Sequence, residues 1–277
     1  MAVCYRHPNR ETGVSCSNCG NPICPDCMTA TPVGMRCPEC SRQKTPVRTL
    51  RNIYAEPTAT YILMAINVLM YIGMVASGGY GSRVYEDFVL VSINVAHDGS
   101  GLIGVADGEY WRLVTAGFLH AVTPIHILFN MYALYWLGTM LEPVLGHKRF
   151  VALYFASLLA GSMGALIGAD ATQGTVGASG AIFGLMGAAF VMQRARGVDP
   201  WRSGLGPVIL FNLALPFLFP NLNISIGAHV GGLIGGAIAA LAMEYLSARR
   251  RGNLLPVLAC VAVGTVSVVG AISFASG

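Results

Sequence analysis

Seven long apolar runs in the second part of the chain limit what it can fold into. They fall at about residues 58–77, 122–141, 150–168, 178–193, 206–219, 226–246 and 254–274. A bilayer core about 30 Å thick requires about 20 apolar residues of helix to cross it. Only helices and closed barrels satisfy their backbone hydrogen bonds in hydrocarbon. The runs therefore predict an all-α polytopic membrane protein, with each run forming a helix.

The scarcity and placement of charge support this prediction. Of the 277 residues 11% are charged, whereas soluble domains carry about 25%. With a cytoplasmic N-terminus, every Lys and Arg except Arg83 and Arg112 falls on the inner side. The positive-inside rule therefore predicts a multi-pass protein of the cell membrane with its N-terminus in the cytoplasm and its C-terminus outside. Since the basic residues lie at membrane edges, the net charge of +4 does not indicate binding of nucleic acid.

The cysteines divide the chain into two unlike parts. Residues 1–44 hold seven of the eight cysteines, residues 45–57 form a basic linker, and residues 58–277 form the membrane domain. Pairs of ligands two residues apart point at one metal from a tight turn. Because the gap between the second and third pairs is short, we expect the pairs to interleave. The first predicted zinc site is Cys4, His7, Cys24 and Cys27, and the second is Cys16, Cys19, Cys37 and Cys40.

The alternative for this head, residues 1–44, is a disulfide framework. An odd number of cysteines facing a reducing cytosol disfavours it. A segment of 44 residues also buries too little apolar surface to fold unaided, so two structural Zn²⁺ ions would supply the folding energy. The pattern resembles B-box-type zinc fingers, which implies a regulatory domain or one that binds a cytosolic protein partner.

A few polar residues fall inside the apolar runs, where ionisable groups usually have a function. They are His126, Asn130, Ser179 and His229. No acid lies in the middle of a run and no His-Glu-x-x-His motif occurs, which disfavours a proton-coupled transporter, an aspartyl protease and a zinc protease. At 1.5 Å per residue, both histidines and the serine lie roughly 22–24 Å from the cytoplasmic ends of their helices. We therefore expect them at one depth.

Small residues would let these helices approach one another. Stripes with a spacing of four permit close backbone contact; they are Gly180, Gly184 and Ala188 in the fourth run, and Gly227, Gly231 and Gly235 in the sixth, with Gly232, Gly236 and Ala240 beside them. A hydroxyl and an imidazole brought together in this way meet the requirement for an activated serine. Each feature alone has a simpler interpretation: the serine bonds back to a carbonyl, the histidine bridges helices, and the glycines only pack.

The combination of motifs resembles the rhomboid family of intramembrane serine proteases over about residues 55–250. The matching residues are Trp111 and Arg112, His126 to Asn130, Gly177 to Gly180, Ala228 to Gly232, and Glu142, Gly146 and Arg149. The resemblance implies a rhomboid-like bundle of six helices, to which the seventh run adds one C-terminal transmembrane helix.

The resemblance also implies a reaction. Ser179 would be the nucleophile and His229 the general base, while His126, Asn130 and the backbone N–H of Ser179 would form the oxyanion hole, without a cofactor for catalysis. The implied substrates are transmembrane proteins, usually single-pass, in the lipid bilayer. Phe183 stands where many relatives have tyrosine, and we expect its ring to pack against His229.

Three points remain open from the sequence. A silent membrane scaffold that binds transmembrane clients is the alternative to a protease, although both dyad residues are present. A solute transporter lacks support, because no paired inverted halves are visible. The connection 78–121 is either a solvated loop or a partly buried interfacial structure. In both cases we expect Trp111 and Arg112 to anchor the loop and His120 to form a hydrogen bond within it.

Overall fold

The structure, a computed structural model, describes residues 2–42, 56–96, 99, 101–249 and 252–277. Contacts divide the chain into two units, residues 1–53 and 54–277. Most of the predicted linker 45–57 lies outside the described residues. Each unit has a buried core of its own.

The head consists of two small hairpins and one short helix. Strands β1 and β2 pair antiparallel, as do β3 and β4. The elements are β1 (Ala2–Cys4), β2 (His7–Thr12), β3 (Thr29–Thr31), β4 (Gly34–Arg36) and α1 (Pro38–Arg42). Among the described head residues, Ile23 is the one fully buried apolar side chain besides six cysteines. The cysteines therefore form the core.

The second unit is helical, and each predicted span corresponds to one long helix. The helices are α2 (Thr58–Ala76), α3 (Arg83–Phe88), α4 (Arg112–Thr115), α5 (Pro124–Leu145), α6 (His147–Gly168), α7 (Ser179–Ala195), α8 (Leu205–Leu218), α9 (Ile226–Arg249) and α10 (Leu254–Ala275). Within the described ranges, α2, α6, α9 and α10 are long and apolar enough to cross a bilayer, while α8 has only 14 residues. The chain is an all-α polytopic membrane protein with a small cysteine-rich head.

The second span differs most from its prediction. Helix α5 continues to Leu145, four residues beyond the apolar run, and ends at Gly146, whose φ is +76°. Glycine adopts that conformation without strain, so it ends the helix there. Helix α6 then begins at His147, three residues before the apolar run, with polar and basic residues in its first turn.

A buried carboxylate explains why α5 extends so far. Glu142 is fully buried and accepts hydrogen bonds from the backbone N–H groups of Ala59 and Thr60, both at 2.8 Å, and from the Thr60 hydroxyl at 2.6 Å. An anion at a helix N-terminus satisfies unpaired N–H groups and opposes the helix dipole. Glu142 therefore fixes the start of α2 against α5.

The connection 78–121 is folded, so the buried alternative is the correct one. It contains α3, α4 and a small hairpin of β5 (Asn94–Val95) and β6 (Leu102–Ile103). Val105 is fully buried and Leu113 nearly so. This connection packs against the segment that leads into α7 and positions it.

Candidate active site

Ser179 and His229 are in hydrogen-bond contact. Ser179 is the first residue of α7 and His229 lies in the first turn of α9. The Ser179 Oγ and the His229 Nε2 are 3.0 Å apart. Ser179 is partly exposed, whereas His229 is 6% exposed. The pair has the geometry that an activated serine requires.

Glycines bring α7 and α9 close enough for this contact. A Cβ at Gly232 would lie 2.0 Å from the carbonyl oxygen of Gly180, and one at Gly236 would lie 2.1 Å from that of Gly184. The two glycine stripes of α9 serve different neighbours, because Gly231 faces α6 instead. The contact with α7 is therefore made by the stripe that contains Gly232 and Gly236, and not by the stripe that contains Gly231.

The segment before Ser179 is tied to the folded connection. Leu90 and Thr175 exchange two backbone hydrogen bonds, at 3.1 and 2.8 Å. The Gly177 N–H donates to the carbonyl of Ala116 at 3.0 Å. Gly177 has a φ of +131°, and a Cβ there would lie 3.1 Å from the Nε2 of His126. A glycine is therefore required at this position for both backbone conformation and space.

Arg112 fixes the strand-like segment around Leu90, which pairs with Thr175. Its side chain is 1% exposed and donates to the Glu109 carboxylate at 2.6 Å and to the carbonyl of Val89 at 2.9 Å. Trp111 donates from Nε1 to the carbonyl of Asp87 at 3.0 Å. Both side chains therefore fix the backbone just before Leu90, in agreement with the prediction that they anchor this connection.

His126 presents its Nε2 toward Gly177, close to Ser179. Its Nδ1 accepts a hydrogen bond from the backbone N–H of Ala121 at 3.1 Å. A neutral imidazole that accepts at Nδ1 carries its proton on Nε2. His126 is therefore a hydrogen-bond donor on the side that faces the segment before Ser179.

Asn130 lies one turn further along the same face of α5. Its side chain is 6% exposed, and Nδ2 donates to the carbonyl of His126 at 3.0 Å. An amide NH₂ has two protons, so one remains for another acceptor. Both residues predicted for the oxyanion hole are therefore at the same end of the bundle as the dyad.

The ring of Phe183 stacks on His229. The ring centroids are 4.0 Å apart and the planes differ by 18°, as expected from the sequence. The Nδ1 of His229 has no partner among the described residues. The stack, and not a third side chain, therefore orients the imidazole.

One expectation is wrong. His120 was expected to hydrogen-bond within its loop, but neither ring nitrogen has a partner among the described residues, although the side chain is fully buried. Its ring instead packs beside His126. Burial of the segment 116–120 therefore places the ring away from the loop surface, where a hydrogen bond was expected.

The head gathers the two sets of ligands that interleaving predicts. In each set, one donor atom per residue lies within 4.8 Å of all the others. The sets are Cys4, His7, Cys24 and Cys27, and Cys16, Cys19, Cys37 and Cys40. All eight cysteines of the chain fall within the described residues and none is in a disulfide.

The sulfur spacing fits a tetrahedral zinc ion. A Zn–S bond of about 2.3 Å places two ligands about 3.8 Å apart. The Sγ atoms of Cys19 and Cys37 are 3.8 Å apart, and those of Cys4 and Cys27 are 3.9 Å apart. The backbone N–H of Cys37 donates to the Cys16 sulfur at 3.3 Å and lowers the pKa of that thiol, which favours the thiolate that binds metal.

Several groups at the site have no signal in the sequence. The N–H of Ala121 and the bridge between Leu90 and Thr175 use backbone atoms, which any residue type supplies. The glycine at 177 was a usable signal, since a positive φ favours glycine.

Comparisons with known proteins point to one family. The family model described as "Rhomboid domain" matches residues 107–245. Rhomboid protease GluP of Bacillus subtilis is 32% identical over 215 residues, which are 77% of this chain and 40% of that protein. Putative rhomboid protease YdcA of the same organism is 36% identical over 149 residues, which are 53% of this chain and 74% of YdcA.

A third relative is Rhomboid protease GlpG of Yersinia pestis, which is 33% identical over 144 residues, about half of each chain. The matches to this chain therefore span 40% of GluP and 51% of GlpG. The family model covers half of the chain and includes the segments that carry His126, Ser179 and His229. The chain belongs to the rhomboid family.

Proposed function

We propose that this chain is an intramembrane serine endopeptidase that cleaves transmembrane proteins with a Ser-His dyad. The observation that carries the proposal is the 3.0 Å contact between Ser179 Oγ and His229 Nε2 at the start of two closely packed helices. The names of the relatives, which are rhomboid proteases, support the same activity.

Ser179 is the nucleophile and His229 the general base. His229 Nε2 takes the proton as Ser179 Oγ attacks the scissile carbonyl carbon, then gives it to the leaving amine as the C–N bond breaks. Water attacks the carbonyl carbon of the resulting acyl-enzyme and gives a proton to His229, which passes it to Ser179 Oγ as the ester C–O bond breaks. Phe183 keeps the ring of His229 in place through both half-reactions.

Three donors stabilise the tetrahedral oxyanion: Nε2–H of His126, the amide of Asn130 and the backbone N–H of Ser179. The N–H of Ala121 fixes the tautomer of His126 that donates. The N-terminus of α7 adds partial positive charge beside the developing anion. The reaction needs no cofactor.

The substrates are transmembrane proteins, single-pass in the simplest case, and the cut falls near the outer end of their helix. A helical peptide bond is shielded, so the substrate must unwind locally to reach Ser179. The N-terminus is cytoplasmic and the C-terminus outside, in accordance with the distribution of Lys and Arg.

The head, residues 1–44, binds two structural Zn²⁺ ions and a cytosolic protein partner. Its two sets of four ligands have the composition and spacing of closed zinc sites. Metal binding supplies the folding energy, because the described head has almost no apolar core beyond its cysteines. The basic linker 45–57 connects it to the protease domain, residues 58–277.

Cleavage of a single-pass reporter in proteoliposomes tests the activity. The wild-type chain should cut it, and Ser179→Ala and His229→Ala should not. Ser267→Ala is the control, since Ser267 is also a serine in a long apolar helix but only bonds the carbonyl of Val263 within α10. Equal cleavage by all four proteins would reject the dyad, and no cleavage by any would favour a scaffold that binds transmembrane clients.

A further inference from the structure

His120 is a buried histidine that the proposed reaction does not use. Its side chain is fully buried and neither ring nitrogen has a hydrogen-bond partner among the described residues. The carbonyl of Phe118 lies nearby without reaching hydrogen-bond geometry. Leaving buried polar atoms unsatisfied destabilises a protein, and an apolar ring of the same shape would avoid this cost. The presence of an imidazole here therefore needs an explanation.

The neighbour of His120 in the site is His126. The two ring centroids are 5.2 Å apart, with the planes tilted by 60°. Ala121, the next residue along the chain, donates to Nδ1 of His126. One short segment thus contacts both the face and the Nδ1 edge of the His126 ring.

We propose that His120 is a positioning residue for His126. Its ring nitrogens bind ordered water, as buried polar groups without protein partners commonly do. The hydrated ring holds His126 with its Nε2–H directed at the oxyanion. This role rests on the proposed protease function and adds to it a residue outside the oxyanion hole.

Such a role affects the transition state more than substrate binding. An oxyanion donor is effective only when it already points to where charge develops. Loosening that donor lowers kcat and leaves KM nearly unchanged. We expect a loss of roughly three- to tenfold in kcat, the size of one ring contact or one weakened hydrogen bond.

Two substitutions distinguish the effect of the ring nitrogens of His120 from the effect of its ring shape. His120→Phe keeps a ring but removes both nitrogens, and should lower kcat while the thermal stability stays the same or rises. His120→Gln keeps hydrogen-bonding capacity and should recover most of the lost activity. Tyr154→Phe is the matched control, because the Tyr154 hydroxyl is also buried without a partner among the described residues, and its removal should leave kcat unchanged.

A double-mutant cycle with His126→Ala tests whether His120 acts through His126. If it does, His120→Phe has no further effect in the His126→Ala background. Wild-type kcat in His120→Phe, or equal losses in both backgrounds, would overturn the positioning role. The kcat values of these variants are compared with those of the wild type and Ser179→Ala in the same proteoliposome assay. Failure of the wild type to cleave, or equal cleavage by Ser179→Ala, would instead reject the proposed function.

Discussion

The head and the helix bundle of this chain are held together in opposite ways. In the described head, six of the seven fully buried apolar side chains are cysteines. In the bundle, α7 and α9 approach so closely that a single Cβ at Gly232 or Gly236 would overlap a carbonyl oxygen. The head therefore depends on the chemistry of its ligands, whereas the bundle depends on the absence of side chains.

This difference separates how the two regions respond to change. A site made of eight ligands fails when metal is withdrawn, with little dependence on side-chain volume. A bundle built on glycine contacts is insensitive to metal but is disrupted by one methyl group. The active site depends on the glycine contacts, since Ser179 and His229 lie on α7 and α9, which these contacts hold together.

The largest expected effect is that of removing zinc. Structural zinc sites contribute about 10–16 kcal/mol of apparent binding energy, so a strong chelator should unfold the head and leave the bundle folded. Hydrogen–deuterium exchange of the full chain should lose protection over residues 2–42 and keep it in α6 and α9. Metal analysis should give two zinc per chain before treatment.

Cys260→Ser is the control for this experiment, because Cys260 is buried in α10 outside both ligand sets. It should retain both zinc ions. Full protection of the head after metal removal would contradict this prediction, because the head would then be stable without zinc.

The second largest effect is the loss of kcat expected from a change at His126, which lies in the bundle and not in the head. His126→Ala removes an oxyanion donor, and kcat should fall about 10²–10³-fold, or about 3–4 kcal/mol. The zinc content should not change. His147→Gln is a matched histidine control at the Glu142 end of α5, where the His147 ring contacts that carboxylate; its kcat should stay near that of wild type. A normal kcat in His126→Ala would remove this residue from the oxyanion hole.

The third effect tests whether glycine contacts hold the bundle. Gly236→Ala places a Cβ 2.1 Å from the carbonyl oxygen of Gly184, so we expect a destabilisation of about 1–3 kcal/mol. Gly73→Ala in α2 has nothing within 4 Å of the new Cβ and should be neutral or slightly stabilising. Denaturation midpoints in detergent measure both. Equal stability of the two variants would mean that the helices can move apart freely.

The smallest effect is that of the ring stacked on the base. Phe183→Ala should lower kcat by about two- to tenfold, since one aromatic stack contributes about 0.5–1.5 kcal/mol. Phe183→Tyr keeps the ring and should retain the wild-type rate. A rate in Phe183→Ala equal to that of wild type would show that the fold alone orients His229.

Much of the fold could be predicted from the apolar runs, because each long run has to become a helix in a bilayer. The end of α5 was harder to predict from the sequence, since it depends on the carboxylate of Glu142, which caps a distant helix. The folded state of the connection 78–121 was undecided for a similar reason. Its order comes from the buried guanidinium of Arg112 and from backbone pairing, and neither gives a periodic pattern.

The parts of the candidate site that consist of side chains could be predicted from the sequence. Ser179, His229, His126 and Asn130 stand out as polar residues in apolar runs at one depth. The contact of Ala121 with His126, and the unpartnered ring of His120, depend on a local chain path that no spacing encodes. The same holds for the division of the α9 glycines between α6 and α7, which requires knowing how the helices are arranged.

Covalent labelling tests whether His229 activates Ser179. A fluorophosphonate should phosphonylate the Ser179 Oγ with loss of fluoride, and peptide mass spectrometry should locate the adduct at Ser179 in the wild-type chain. His229→Ala should react far more slowly, while Ser267→Ala should react at the wild-type rate. Equal labelling of Ser179 with and without His229, or a label at another residue, would mean that His229 does not activate Ser179.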